Sequence, residues 1–169
     1  MIDTPKMPPN GALAQDPIRS SAETPISPEA AFFFNAVAAS RMPMVVSDPR
    51  LPDNPIIVTN DAFLAMTGYA RDEVVGRNCR FLQGPETDPA TVDRLRAAVR
   101  NAEAIAVDIL NYRKDGTTFH NALYTGPVHD AVGQLRYFFA SQLDVTERYA
   151  LQRENAALRR QLAEAQASA

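Results

Sequence analysis

The chain has 169 residues, 46% of them hydrophobic and 22% charged, with a net charge of −3; these are globular proportions, with room for one core and a small ligand inside it. No basic stripe supports nucleic-acid binding, no apolar run reaches bilayer length, and residues 1–15 lack the blocks of a signal peptide, so a cytoplasmic location is expected. Cys79 is the one cysteine and His120 and His129 the only histidines, which excludes an internal disulfide and leaves no zinc-spaced cluster; no metal is expected.

Residues 1–26 carry Pro5, Pro8, Pro9, Pro17 and Pro25 among small polar residues and read as a disordered tail. Ser27 as N-cap, Pro28 at the first helical position and Glu29 in the first turn predict a flanking helix over 27–41. Its Phe32, Phe33, Phe34 and Val37 need a surface to cover, and Met42-Pro43 ends it. Short strands follow at 44–46 and 56–58, joined by a turn in which Pro49, Pro52 and Pro55 block regular structure. Asn60 caps a short helix carrying Phe63, Leu64 and Met66, and Gly68 stops it. Further helical turns are expected at 71–75 and 78–82, the second closed by Gly84-Pro85.

Asp88 and Pro89 open the clearest helix, with Val92, Leu95 and Val99 as its apolar stripe and Arg96 at the stripe's edge. Three strand-like runs come next, at 105–112, 118–124 and 135–143, with turns at Lys114-Asp115-Gly116 and 130–133. This order predicts an α+β fold: a five-stranded antiparallel sheet with short helices on one face and a flanking helix at each end. From residue 145 the chain reads as helix again. Leu151 and Leu158 fit d positions, Asn155 and Leu162 a positions, and Glu154 and Arg159 g and e positions. That pattern suits a short parallel coiled coil between two copies, or equally a helix folded back on its own domain.

The chemistry centres on Gly76-Arg77-Asn78-Cys79-Arg80-Phe81-Leu82-Gln83-Gly84. A lone cysteine is most often a small buried hydrophobe. Here it stands at a helical turn beside a guanidinium, two features that lower a thiol's pKa. Arg80 and Arg96 come from separate elements and could meet one phosphate, although either alone would be an ordinary surface arginine. Asn111, Asn121 and Gln142 interrupt apolar strands, where amides are poor strand formers and need partners if buried. Together they match a flat heteroaromatic ring with alternating carbonyl and N–H groups, such as a flavin; singly, each could face water.

The nine-residue run at 76–84 resembles the signature of LOV (light-oxygen-voltage) domains, the flavin-binding photosensory branch of the PAS family. The resemblance spans about 44–143, and the segments 48–55, 84–88, 111–116 and 142–147 are also typical of that family. It implies the PAS fold over 42–144, with a C-terminal helix over 145–169. It implies a blue-light photoreceptor that holds FMN non-covalently in the dark and forms a reversible cysteinyl–flavin C4a adduct on illumination. Carried over to this chain, Cys79 is the photoreactive thiol, and Arg80 and Arg96 hold the phosphate. Asn78 and Gln83 contact the ribityl chain and nearby ring atoms. Asn111 and Asn121 bind the pyrimidine edge, and Gln142 faces N5 and O4. Val45, Leu82 and Phe138 stand among the pocket walls, with Ile56, Leu95, Val99, Ile109 and Leu123. Ala140-Ser141 and Thr125 depart from common family choices and bear on dark recovery and packing.

The chain is therefore expected to be a sensory module and not an enzyme. It would signal through a homodimer of its flanking helices or through a downstream protein. Two alternatives remain from the residues alone: a flavin- or thiol-based redox sensor, and a light-independent PAS interaction module.

Overall fold

The computed structural model describes residues 27–167; the tail expected over 1–26 lies outside them. The elements are α1 (Pro28–Ala39), β1 (Met44–Ser47), β2 (Ile56–Thr59), α2 (Asp61–Thr67), α3 (Arg71–Val74), a 3-10 turn (Cys79–Leu82), α4 (Pro89–Arg100), β3 (Ile105–Tyr112), β4 (Thr118–His129), β5 (Leu135–Asp144) and α5 (Thr146–Ala167). The strands form one sheet in the order β2-β1-β5-β4-β3, every neighbouring pair antiparallel. The last strand thus lies in the middle, between the first strand and β4.

Alternation along the strands divides the core into two layers. Val45 packs with Ile56, Phe63, Val74, Leu82 and Ala140 beneath the short helices. Val46, one residue on, packs with Val58, Phe34 and Val37 beneath α1. Of the α1 phenylalanines, Phe34 is buried edge-on against Tyr137 at 5.2 Å, whereas Phe32 stays 78% exposed. The capping signals operate as their chemistry dictates. Ser27 accepts from the Ala30 N–H, Asp88 from those of Ala90 and Thr91, and Gly68 ends α2 in the left-handed conformation at φ 78°.

Asn60 does more than cap α2. Its Oδ1 accepts from the N–H of Met44 (3.0 Å) and of Phe63 (3.0 Å). Its Nδ2 donates to the carbonyls of Val37 (3.2 Å), Ser40 (3.0 Å) and Met42 (2.7 Å). One side chain therefore joins α1, the linker after it, β1 and α2.

β4 runs five residues beyond the expected end at Tyr124, through Gly126-Pro127, to His129. Its last residues, 126–129, pair only with β5, because β3 stops opposite Thr125. Proline is tolerated at such a one-sided position.

Among the described residues, the root of α5 is held to the sheet. The His120 carbonyl accepts from the Val145 N–H (2.8 Å), and the His120 N–H donates to Thr146 Oγ1 (2.9 Å). The Tyr149 ring stacks on His120 at 4.0 Å, and its hydroxyl donates to Asp108 (2.8 Å), which also pairs with Arg148. Beyond this root the helix does not fold back: Leu151, Leu158 and Leu162 are 58–60% exposed.

Candidate functional site

A cavity of about 480 Å³ lies between the sheet and the layer formed by the β1–β2 loop, the 3-10 turn and α4, a size typical of small-ligand sites. Asn78, Cys79, Arg80, Leu82 and Gln83 reach its wall from the 3-10 turn and the residues flanking it, and Arg96 from α4. Val45, Asn111, Asn121, Phe138 and Gln142 reach it from the strands. Leu95, Val99, Ile109 and Leu123 also line it, whereas Ile56 is buried in the core behind it.

The floor is a chain of buried amides. Asn121 sits opposite Ile109 on β3, and its β5 partner is Asp144, so it lies between the two neighbouring strands that carry Asn111 and Gln142. Asn121 Nδ2 donates to Asn111 Oδ1 (3.0 Å) and to Gln142 Oε1 (3.0 Å). Asn111 Nδ2 donates in turn to the Leu82 carbonyl at 3.2 Å, tying the floor to the turn that carries Cys79. Asn121 Oδ1 is buried with no partner among the described residues. A bare buried acceptor costs about 1–3 kcal/mol, so the site is arranged for a donor from outside the chain.

The mouth is cationic but neutralised. Arg80 pairs with Asp53 of the β1–β2 loop, and Arg96 with Asp93 at 2.9 Å. All four side chains are more than half exposed, so these pairs are weak and an incoming dianion can take over the guanidinium groups. Asn78 is engaged inside the protein. Its Nδ2 donates to the carbonyls of Asp53 (2.6 Å) and Asn54 (3.3 Å), and its Oδ1 caps the 3-10 turn by accepting from the Arg80 N–H (3.1 Å).

Cys79 is half-buried at the start of the 3-10 turn. The expectation of a lowered thiol pKa is overturned. Burial pushes the Cys79 thiol up to about 11, outweighing a backbone hydrogen bond and the charge of Arg80. A single short turn offers little dipole, and the Arg80 guanidinium points to Asp53. Cys79 is therefore a protonated thiol at neutral pH.

The PAS domain family profile matches residues 42–147. The blue-light-activated histidine kinase of Brucella canis is 54% identical over 114 residues, covering 68% of this chain and 23% of that protein. The light-state structure of the blue-light photoreceptor Aureochrome1 LOV superposes with a TM-score of 0.63 at 42% identity, over 73% of this chain and 96% of that one. The chain belongs to the LOV branch of the PAS family. A LOV domain structure described in terms of a flavin analogue is also similar, with a TM-score of 0.65, 44% identity, and 77% and 93% coverage. The chain spans less than a quarter of the length of the Brucella relative.

The LOV domain's cavity fits a flavin on its own chemistry. The amide floor offers mixed donors and acceptors with one acceptor unmet, the walls are aliphatic, and the mouth holds arginines. Among the lining residues with no role in the sequence reading of the pocket are Asn54, hidden in a proline-rich turn, Arg100, one helical turn after Arg96, and Ser47. The i, i+4 spacing of Arg96 and Arg100 was a readable signal. Thr125, one of the departures from family choices, donates its hydroxyl to the Phe139 carbonyl at 2.9 Å, so its polar group is satisfied within the sheet.

Proposed function

We propose that this LOV domain is a blue-light sensory module that holds FMN in the cavity and bonds it reversibly through Cys79 on illumination. The observation that carries this reading is the unpartnered Asn121 Oδ1, buried in the wall of a cavity that also holds the Cys79 thiol and the Arg80 and Arg96 mouth. A bound flavin supplies blue-light absorption and, once excited, a ring carbon open to sulfur beside a nitrogen that takes up a proton.

The protein's own groups do the rest. Asn111 and Asn121 orient the pyrimidine edge, and the two arginines exchange Asp53 and Asp93 for the phosphate. Cys79, held as a thiol by burial, would supply both the sulfur and the proton for a bond to the flavin. The same raised pKa weighs against the thiol redox sensor, which needs a thiolate.

Gln142 accepts from Asn121 through Oε1. With a flavin bound, Gln142 would lie against it from the cavity wall, and turning its oxygen toward a donor there would give up the bond to Asn121. One such bond is worth about 1 kcal/mol, enough to bias a balanced equilibrium several-fold. Two residues later, Asp144 pairs with Arg113 and accepts from the Thr146 N–H at the root of α5. The signal thus leaves through β5 into α5, toward a second copy or a downstream signalling protein. The exposed Phe32 of α1 and the leucines of α5 offer the contact surfaces. No helix among the described residues is long and apolar enough to cross a membrane.

The test is the visible spectrum of dark-purified protein before and after blue light. Flavin absorption that bleaches and recovers supports the proposal. A colourless protein, or bleaching that persists in Cys79→Ala, refutes it.

A further inference from the structure

The β1–β2 loop has one side in the cavity wall and the other against the layer that carries α1. We infer that this loop couples occupancy of the cavity to the docking of α1, so that the N-terminal helix reports whether the flavin is in place, separately from α5. The coupling rests on the flavin reading of the site and adds to it a role for α1.

Pro49, Leu51, Asp53 and Asn54 of the loop line the cavity. Pro49, Pro52 and Pro55 stiffen it. Backbone hydrogen bonds close it on itself: the Asp48 N–H donates to the Pro55 carbonyl (3.0 Å), the Leu51 N–H to that of Asp48 (3.2 Å) and the Asn54 N–H to that of Leu51 (3.2 Å). A segment braced in this way moves as a unit.

The far side of the unit is Arg50. The buried Asp48 carboxylate accepts from its guanidinium at both oxygens, from Nε at 2.8 Å and from Nη2 at 2.6 Å. That grip sets the guanidinium over the Tyr137 ring, 5.0 Å from its centroid. Tyr137 in turn meets Phe34 edge-on at 5.2 Å. Phe34 is 2% exposed and anchors α1, with Val37, on Val46 and Val58. Phe138, next along β5, faces the cavity, so Tyr137 stands on the opposite face of the sheet. Carboxylate, guanidinium and two aromatic rings thus run in contact from the loop that walls the cavity to the helix across the sheet.

A ligand packed against the loop holds it, and with it Arg50, in place on Tyr137. Loss of the ligand frees the loop to shift and takes the Arg50 seat with it. Linkage makes such a coupling reciprocal: flavin tightens α1, and loosening α1 weakens flavin.

The test is hydrogen exchange of the α1 amides in the full chain, flavin-stripped and FMN-saturated, both in the dark, with FMN affinity measured alongside. FMN should slow exchange over Pro28–Ala39 by about fivefold or more. Tyr137→Leu keeps an apolar partner for Phe34 and removes the seat for Arg50; Arg50→Gln keeps Tyr137 and removes the cation. In each variant the FMN-dependent change in α1 should fall below about twofold. Phe34→Leu, across the sheet from the cavity, should weaken FMN about fivefold in the wild type and less than about twofold in the Tyr137→Leu background. General stabilisation by the ligand would slow α1 in the variants as well, so a change that persists in either one overturns the route through Arg50 and Tyr137. Unchanged FMN affinity in Phe34→Leu overturns it too. If Arg50→Gln cannot be loaded with FMN, Tyr137→Leu decides alone. FMN binding that leaves wild-type α1 exchange unaltered overturns the coupling while the flavin site survives. If the wild type binds no FMN, the flavin reading fails and the coupling with it.

Discussion

Asn60 and Asn121 are equally buried, each 1% exposed, and their surroundings are opposite. Asn60 uses both ends of its amide on backbone groups from three elements and the linker between two of them. Asn121 spends its donors on two other amides and leaves its oxygen bare. A saturated buried amide acts as a joint, whereas a partly satisfied one in a cavity wall is a socket. Residue type and burial do not separate the two; the count of partners does.

The strongest way to break this contrast is Asn60→Ala. It strands two N–H groups and three carbonyls at the junction of α1, β1 and α2, so we expect about 4 kcal/mol of lost stability in urea unfolding. The loss should be the same with or without flavin; a loss under about 1 kcal/mol would remove Asn60 from the role of joint.

A pH series probes the cavity side. The folded Cys79 pKa of about 11 stands above its ordinary value of 9.0. Between these values the unfolded chain has released the proton and the folded chain has not. Stability should therefore fall as pH rises from 9, and by about 3 kcal/mol once pH passes 11. Unfolding curves of flavin-free wild type and Cys79→Ala should diverge across that window and run parallel below it.

Smaller again is Asn121→Ala, which should cost about 2 kcal/mol of flavin binding, or roughly 30-fold in affinity. Its flavin-free stability should change less than that of Asn60→Ala, and the reverse ranking would erase the distinction. Least of all is Asp88→Ala, at the exposed cap of α4. The hydrogen bonds from Thr91 hold the Asp88 carboxyl below its usual pKa, so the cap should act at neutral pH and fade in acid. Its loss should shift the urea midpoint by less than any of the other changes.

Most of the architecture was legible because local signals and hydrophobic pattern agreed. Ser27-Pro28, Asn60 and Asp88-Pro89 marked helix starts, and alternation placed all five strands. The misses have physical causes. Gly126-Pro127 imitates a strand end, and only the absence of a β3 partner makes it tolerable there. The joint role of Asn60 depends on residues 16–23 positions away, beyond any local pattern. The Cys79 thiol was misjudged because sequence shows its charged neighbour but not the burial around it. Asn54 was hidden because a turn asparagine is explained by its backbone alone, and its place in the cavity wall exists only in three dimensions.

The exposed length of α5 has a mechanical consequence. Fixed at its root by Asp108 and His120, with Leu151, Leu158 and Leu162 exposed beyond it, it is a rigid arm of 22 residues, or about 33 Å. A tilt of roughly 10° at the root, within reach of one rearranged side chain, carries the far tip through about 6 Å. Displacements too small to matter inside the domain are thereby magnified into a stroke large enough to slide one helix past another.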